Sequence, residues 1–206
     1  MPIYEACVGS LEEAKKAAAL GADRIELCAD LAEGGITPSF GTIALVKRAV
    51  AIPIQVIIRP RGGDFVYSAD ELQAMRIDIL KCKELGVAGV VLGVLDRGNR
   101  IARPELQALL AAARPLNVTF HMAFDAIAAP REAIDILASL GVERILTRGG
   151  AGSAPANLAA LRELVEYAGA RLIVMPGGGI TRANREQVAA ATGATELHGT
   201  KIVGAL

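Results

Sequence analysis

The stretch LGVERILT, residues 140–147, compresses a helix end, a turn and a strand into eight residues. A leucine closes an apolar stripe. Gly141 supplies a left-handed cap that costs glycine little. Three residues later an apolar run begins that is too short for a helix and reads as a strand. The same grammar occurs in LGADRIEL (20–27), LGVAGVVL (85–92) and TGATELHG (192–199). Gly21, Gly86, Gly141 and Gly193 each end a helix in this reading. The repeats are separated by 65, 55 and 52 residues. Intervals of that size hold two strand–helix units each, so the four strands are the even-numbered members of an eightfold alternation.

Filling in the alternation predicts strands near 3–8, 24–29, 53–59, 89–95, 118–124, 144–148, 172–176 and 195–199. Helices fall near 11–20, 39–50, 68–85, 103–114, 130–140, 157–168 and 181–192. Ser10 with Glu13, and Ser68 with Glu71, have the spacing of capping boxes. Leu72, Met75, Ile79 and Cys82 recur at helical spacing as the buried stripe of the third helix. Eight parallel strands with connecting helices close into a single-domain α/β barrel of the TIM type. A doubly wound open sheet shares the alternation, but the repeat and the strand count favour the barrel. Only KIVGAL follows the eighth strand, so the reading has a barrel with its final helix missing or truncated, and part of the wall either bare or covered by another subunit.

Composition agrees. The 206 residues are 52% hydrophobic and only 3% aromatic, as thin helices on a parallel sheet require. The formal net charge of zero argues against a nucleic-acid partner. The longest apolar run, GVAGVVLGVL (86–95), is too short to span a bilayer as a helix, so no membrane partner is expected. Met1 leads into PIYEACV without a basic, then apolar, leader. Three cysteines without CxxC spacing are not a disulfide framework, and a reducing cytoplasm is the expected setting.

In such a barrel the chemistry gathers at the C-terminal ends of the strands. Glu5 and Cys7 lie two apart on the first strand, as do Glu26 and Cys28 on the second, so each pair shares a face. Arg59 and Arg61, followed by Asp64, end the third strand in RPRGGDF. These two permanent cations either balance buried carboxylates or clamp a carboxylate or phosphate of a small anionic ligand. His121, Ala123 and Asp125 form a further same-side set on the fifth strand. His121, Asp125, Glu5 and Glu26 are the acid–base candidates. MPGGGITRAN (175–184) runs from a strand through Gly177, Gly178 and Gly179 toward a helix, a form that either cradles phosphate or simply turns tightly. His198 ends the eighth strand. Cys7 and Cys28, on neighbouring strands, bring two sulfurs toward one soft ion such as Cu(I), with the Met175 thioether as a further donor; the alternative is two inert buried thiols.

Taken together, EACVGSLEEA, GADRIELCADLAEGGITPS, IPIQVIIRPRGGDFVYS, VTFHMAFD, ERILT, IVMPGGGIT and GATELH resemble the CutC family of copper homeostasis proteins, in order and over nearly the whole chain. The resemblance implies a cytosolic TIM-type barrel, commonly a homodimer, linked to copper tolerance and Cu(I) binding. It also places the family's proposed cysteine ligands on Cys7 and Cys28. Two features depart from the family pattern. Met122 stands where FHRAFD has arginine, and alternation turns it away from His121, toward the helices or an interface. Family members also usually continue past the eighth strand. Copper alone does not account for RPRGGDF, because guanidinium groups repel a cation; an anionic metabolite, bound or turned over, is the alternative reading.

Overall fold

A computed structural model describes all residues, 1–206. Eight parallel strands alternate with seven helices. The strands are β1 (Ile3–Val8), β2 (Arg24–Leu27), β3 (Ile54–Ile57), β4 (Gly89–Leu92), β5 (Asn117–Phe120), β6 (Arg144–Thr147), β7 (Ile173–Pro176) and β8 (Glu196–Gly199). The helices are α1 (Leu11–Ala19), α2 (Phe40–Ala49), α3 (Ala69–Leu85), α4 (Arg103–Ala113), α5 (Pro130–Ser139), α6 (Leu158–Ala168) and α7 (Arg185–Thr192). No helix is long and apolar enough to cross a membrane.

The strands pair in the order β7-β6-β5-β4-β3-β2-β1-β8, so β1 lies between β2 and β8 and the sheet curls into a ring. No hydrogen-bonded ladder joins β7 to β8. That seam is laced beyond the strand ends by a parallel bridge between Thr181 and Lys201, where Arg182 N donates to Lys201 O at 2.9 Å.

The start and stop signals act as the residue chemistry requires. Ser68 accepts from Glu71 N while Glu71 returns a bond to Ser68 N, a full capping box. Ser10 accepts from Glu13 N, but the Glu13 carboxylate reaches Gly9 N instead of closing the box. Gly21, Gly86, Gly141 and Gly193 all take positive φ between 66° and 87°. Strands end earlier than hydrophobicity suggests. β3 stops at Ile57, ahead of Pro60, and β5 stops at Phe120, where His121 caps a 3-10 turn over Met122–Ala126. α7 starts at Arg185 instead of 181, because Asn184 Oδ1 takes the Thr181 amide into a local turn.

Alternation divides each strand between two surroundings. Ile25, Leu27, Val56, Ile58, Val90, Leu92, Phe120, Ile145, Val174 and Leu197 belong to one continuous apolar layer under the helices. The other face points into the barrel and is polar to an unusual degree: Glu5, Arg24, Glu26, Gln55, Thr119, Glu196 and His198 are all buried there. No helix follows β8. The gap between α7 and α1 is narrowed by Tyr4, whose hydroxyl donates to Glu186 at 2.7 Å and whose ring lies 4.0 Å beneath the Arg185 guanidinium.

The barrel is packed through its centre. Gly89 has no side chain because Gln55 Oε1 fills that space and the Asn117 carbonyl lies 2.6 Å from where a Cβ would stand. A backbone oxygen cannot be displaced cheaply. Gly89→Ala should lower stability by about 1–3 kcal/mol. That is a fall in Tm of roughly 2–4 °C per kcal/mol for a chain of this length. An unchanged thermal midpoint would contradict this packing.

Candidate functional site

The floor of the barrel mouth is an ionic belt. Arg24, on β2, donates through Nε to Glu5 of β1 and through Nη2 to Glu196 of β8 at 2.5 Å. The same Nη2 lies 3.4 Å from the Met175 sulfur on β7. Arg144, on β6, reaches Glu196 at 2.7 Å. One carboxylate on β8 thus takes guanidiniums from both sides, and Arg144–Glu196 and Arg24–Met175 span the seam that has no ladder. The Met175 thioether is engaged in this belt rather than joining the cysteines.

One layer higher, β1, β2 and β8 bring Cys7, Glu26 and His198 together, with donor atoms all within 4.8 Å of one another. Cys28 closes the group, its sulfur 3.8 Å from that of Cys7. His198 Nδ1 lies 2.9 Å from Glu5 Oε1, and Nε2 lies 3.5 Å from Glu26. Glu5 therefore fixes the ring while its other nitrogen faces the thiols and Glu26.

Burial and mutual charge set the proton positions. The Cys28 thiol hydrogen-bonds Cys7 and, against burial and with help from His198, brings Cys7 down to about 5. Giving that bond, together with burial, pushes Cys28 well up. Burial, then the charge on Cys7, raises Glu26 to about 8. For Glu5, burial works upward but is outweighed by the His198 hydrogen bond and the charge of Arg24, which hold it at about 2. His198 loses solvation on burial, yet Cys7, Glu26 and Glu5 raise it well above its usual value. The cluster thus sets a thiolate beside an imidazolium, with a protonated carboxyl and a thiol in reserve. Cys82, in the buried stripe of α3, is a separate thiol pushed up to about 12 by burial.

Loops roof this cluster. Arg59 is 5% exposed, and its guanidinium donates to the carbonyls of Glu33 (2.7 Å), Gly35 (3.0 Å) and Gly63 (2.8 Å). It ties the loop after β2 to the loop after β3. Gly35 sits directly over Cys28: a Cβ there would come within 3.3 Å of the sulfur. Arg59 is thus a strap above the thiols, held by backbone oxygens.

The structure does not assemble the predicted two-arginine clamp. With β3 ending at Ile57, Arg61 escapes the alternation and lies on the surface, 39% exposed. It pairs with Glu71 at 2.6 Å and Asp64 at 3.1 Å, and stacks on Tyr67. Asp64 turns outward with it. Asp125 is likewise parted from His121 by the 3-10 turn; its carboxylate accepts from the Thr147 hydroxyl and the Arg148 amide. Met122 leans inward instead of outward, its methyl 3.2 Å from where a Gly177 Cβ would stand. The glycine turn is crowded by side chains: Gly177 by Leu146, Met122 and His198, Gly178 by Arg148, Gly179 by Ser153. With α7 starting at Arg185, these glycines do not run straight into a helix N-terminus. Sequence reasoning placed Glu196 at the barrel mouth without a role, and missed Arg24 and Arg144. Alternation was the available signal, since Arg24 and Glu26, like Glu196 and His198, are two apart. A cleft of about 990 Å³ lies elsewhere, between the loops after β4 and β5.

A (β/α) barrel whose mouth holds a buried thiol–carboxylate–imidazole cluster defines the class, and comparison with known proteins narrows it. Residues 2–203 match the CutC family, and the chain belongs to that family. It is 47% identical over 196 residues to the human copper homeostasis protein cutC homolog, covering 95% of this chain and 72% of the human protein. It is 46% identical over 197 residues to a CutC family protein of Parabacteroides distasonis, covering 95% of this chain and 81% of that one. A crystal structure of a copper homeostasis protein CutC from Streptococcus agalactiae superposes with a TM-score of 0.94 at 39% identity, over 98% of this chain and all of that one. Oxaloacetate acetylhydrolase, at a TM-score of 0.69 and 14% identity, shares the fold alone.

Two outcomes test the belt and the cluster. Arg24→Met takes a shared guanidinium from two buried carboxylates, leaving Glu5 only His198 and Glu196 only Arg144, and should cost about 3–5 kcal/mol in urea unfolding; a loss under about 1 kcal/mol would show the belt to be ornamental. Glu26 is raised in the fold, so its contribution is complete below the unfolded carboxyl value of about 4.3 and fades as pH climbs toward 8. Glu26→Gln should therefore gain stability relative to wild type across that window. Parallel stability–pH curves for the two proteins would refute the assignment.

Proposed function

We propose that this CutC-family barrel binds Cu(I) between Cys7 and Cys28 and serves copper homeostasis through that site. The observation that carries the reading is the sulfur separation of 3.8 Å on adjacent strands. Two metal–thiolate bonds of about 2.3 Å at a tetrahedral angle set their sulfurs about 3.8 Å apart. A thiolate pair selects soft, d10 ions over hard ones. Family membership adds support, since the human relative is named for copper homeostasis.

His198 supplies a third donor. Its Nδ1 is held by Glu5, the arrangement in which a carboxylate orients a metal-binding imidazole and raises its basicity. Glu26 supplies a fourth donor, a carboxylate oxygen, once its own proton is lost. Binding a cation requires loss of the Cys28 proton and of the His198 Nε2 proton, and makes affinity rise with pH. The arginines nearby do not oppose the ion freely: Arg24 is neutralised by Glu5 and Glu196, and Arg59 faces carbonyls. Together these groups make a closed, charge-balanced seat rather than an open catalytic one.

The test is anaerobic titration with Cu(I) against a coloured Cu(I) chelator. Wild type should take up one equivalent in competition. Cys7→Ser and Cys28→Ser should each abolish competition, and Glu5→Gln should weaken it by about ten- to a hundred-fold. Equal competition by wild type and the doubly substituted protein, both folded by circular dichroism, would reject the site.

A further inference from the structure

On the β3–β5 side of the same mouth, two buried nitrogens lack any hydrogen-bond partner: Arg59 Nε and His121 Nε2. Each residue is only 5% exposed. Buried donors are ordinarily satisfied, and exceptions call for an explanation.

Both atoms are obligate donors. His121 Nδ1 accepts the Ala123 amide at 3.2 Å. A neutral imidazole that accepts at Nδ1 carries its proton on Nε2. Burial, followed by the charge of Arg59, takes the ring down to about 3, so it stays neutral in ordinary buffers. Its orientation is fixed as well. The Nδ1–Cε1 edge rests on Gly93, where a Cβ would come within 2.6 Å of both atoms, so the Nε2 edge turns away from β4. Arg59 is equally fixed, because three of its five N–H groups, on Nη1 and Nη2, are held by carbonyls, while Nε has no partner.

One side chain packs against both residues. The Phe65 ring centroid is 4.9 Å from the His121 ring and 5.2 Å from Arg59 Cζ. A phenyl ring offers no in-plane acceptor, so it plugs the space without satisfying the nitrogens. Phe65 lies on the loop after β3, two residues past Gly63, and is itself only half-buried.

We propose that Arg59 Nε and His121 Nε2 form a subsite for the carboxylate of a small molecule, which enters by displacing the Phe65 ring. Two fixed N–H donors, one on a cation, suit the two oxygens of a planar carboxylate. Neutral imidazole donates without adding a second charge. Neither donor belongs to the cysteine cluster, so the subsite stands or falls independently of Cu(I) binding.

The test uses metal-free protein with ¹⁵N-labelled histidine and sodium acetate as probe, with inorganic phosphate in a parallel arm. In wild type the His121 Nε2 resonance should move and saturate with acetate. Phe65→Ala should tighten acetate binding. Adding His121→Phe to that variant, which keeps a ring but removes the donor, should weaken binding on the order of ten-fold or more. Cys7→Ser/Cys28→Ser should bind acetate as wild type does. A resonance unmoved at saturating acetate, equal affinity with and without the imidazole donor, phosphate outcompeting acetate, or loss of acetate binding with the cysteines would each overturn the proposal.

Discussion

The barrel depends on one guanidinium in its throat. Arg24 holds Glu5 and Glu196 from two strands and meets Met175 on a third. Together with Arg144 it supplies cross-strand bonds where β7 and β8 form no ladder. A buried ion pair is weak evidence of net stability, because desolvation offsets attraction. Its value here is positional. The belt sets the register of β1, β2 and β8, and those three strands carry Glu5, Cys7, Glu26, Cys28 and His198. Without a fixed register the sulfurs and the imidazole would not share one layer.

The layer above inherits its electrostatics from the belt. Glu5 is the hinge between them, bonded below to Arg24 and above to His198. Its negative charge is secured by the arginine and passed to the imidazole as orientation and basicity. The imidazole in turn stabilises the Cys7 thiolate. Apolar residues on the inner face, such as Ile57, Val91 and Leu146, keep water from screening these interactions, which is why protonation in the cluster departs so far from solution values.

The fold was legible because periodicity survives in single residues. Four glycines at helix ends and four short apolar runs after them were enough to place the strands, and alternation correctly paired Glu5 with Cys7 and Glu26 with Cys28. Legibility failed where strands ended. Arg61 and Asp125 were assigned to a face by extending alternation past Ile57 and Phe120, beyond which the backbone is no longer extended. Arg24 and Arg144 escaped notice because charged residues at the start of a strand look like surface residues. Only closure of the ring turns them inward, and closure is a property of eight strands at once. The role of Arg59 was hidden for a related reason: its acceptors are backbone carbonyls, which no residue type announces.

That strap has a kinetic consequence. Cys7 and Cys28 are nearly inaccessible beneath the loop that Arg59 pins down. Any guest seated on the sulfurs leaves only when the guanidinium releases the carbonyls of Glu33 and Gly35 and lets the roof lift. Such an arrangement separates dwell time from strength of binding, and it favours slow exchange over rapid shuttling between carriers.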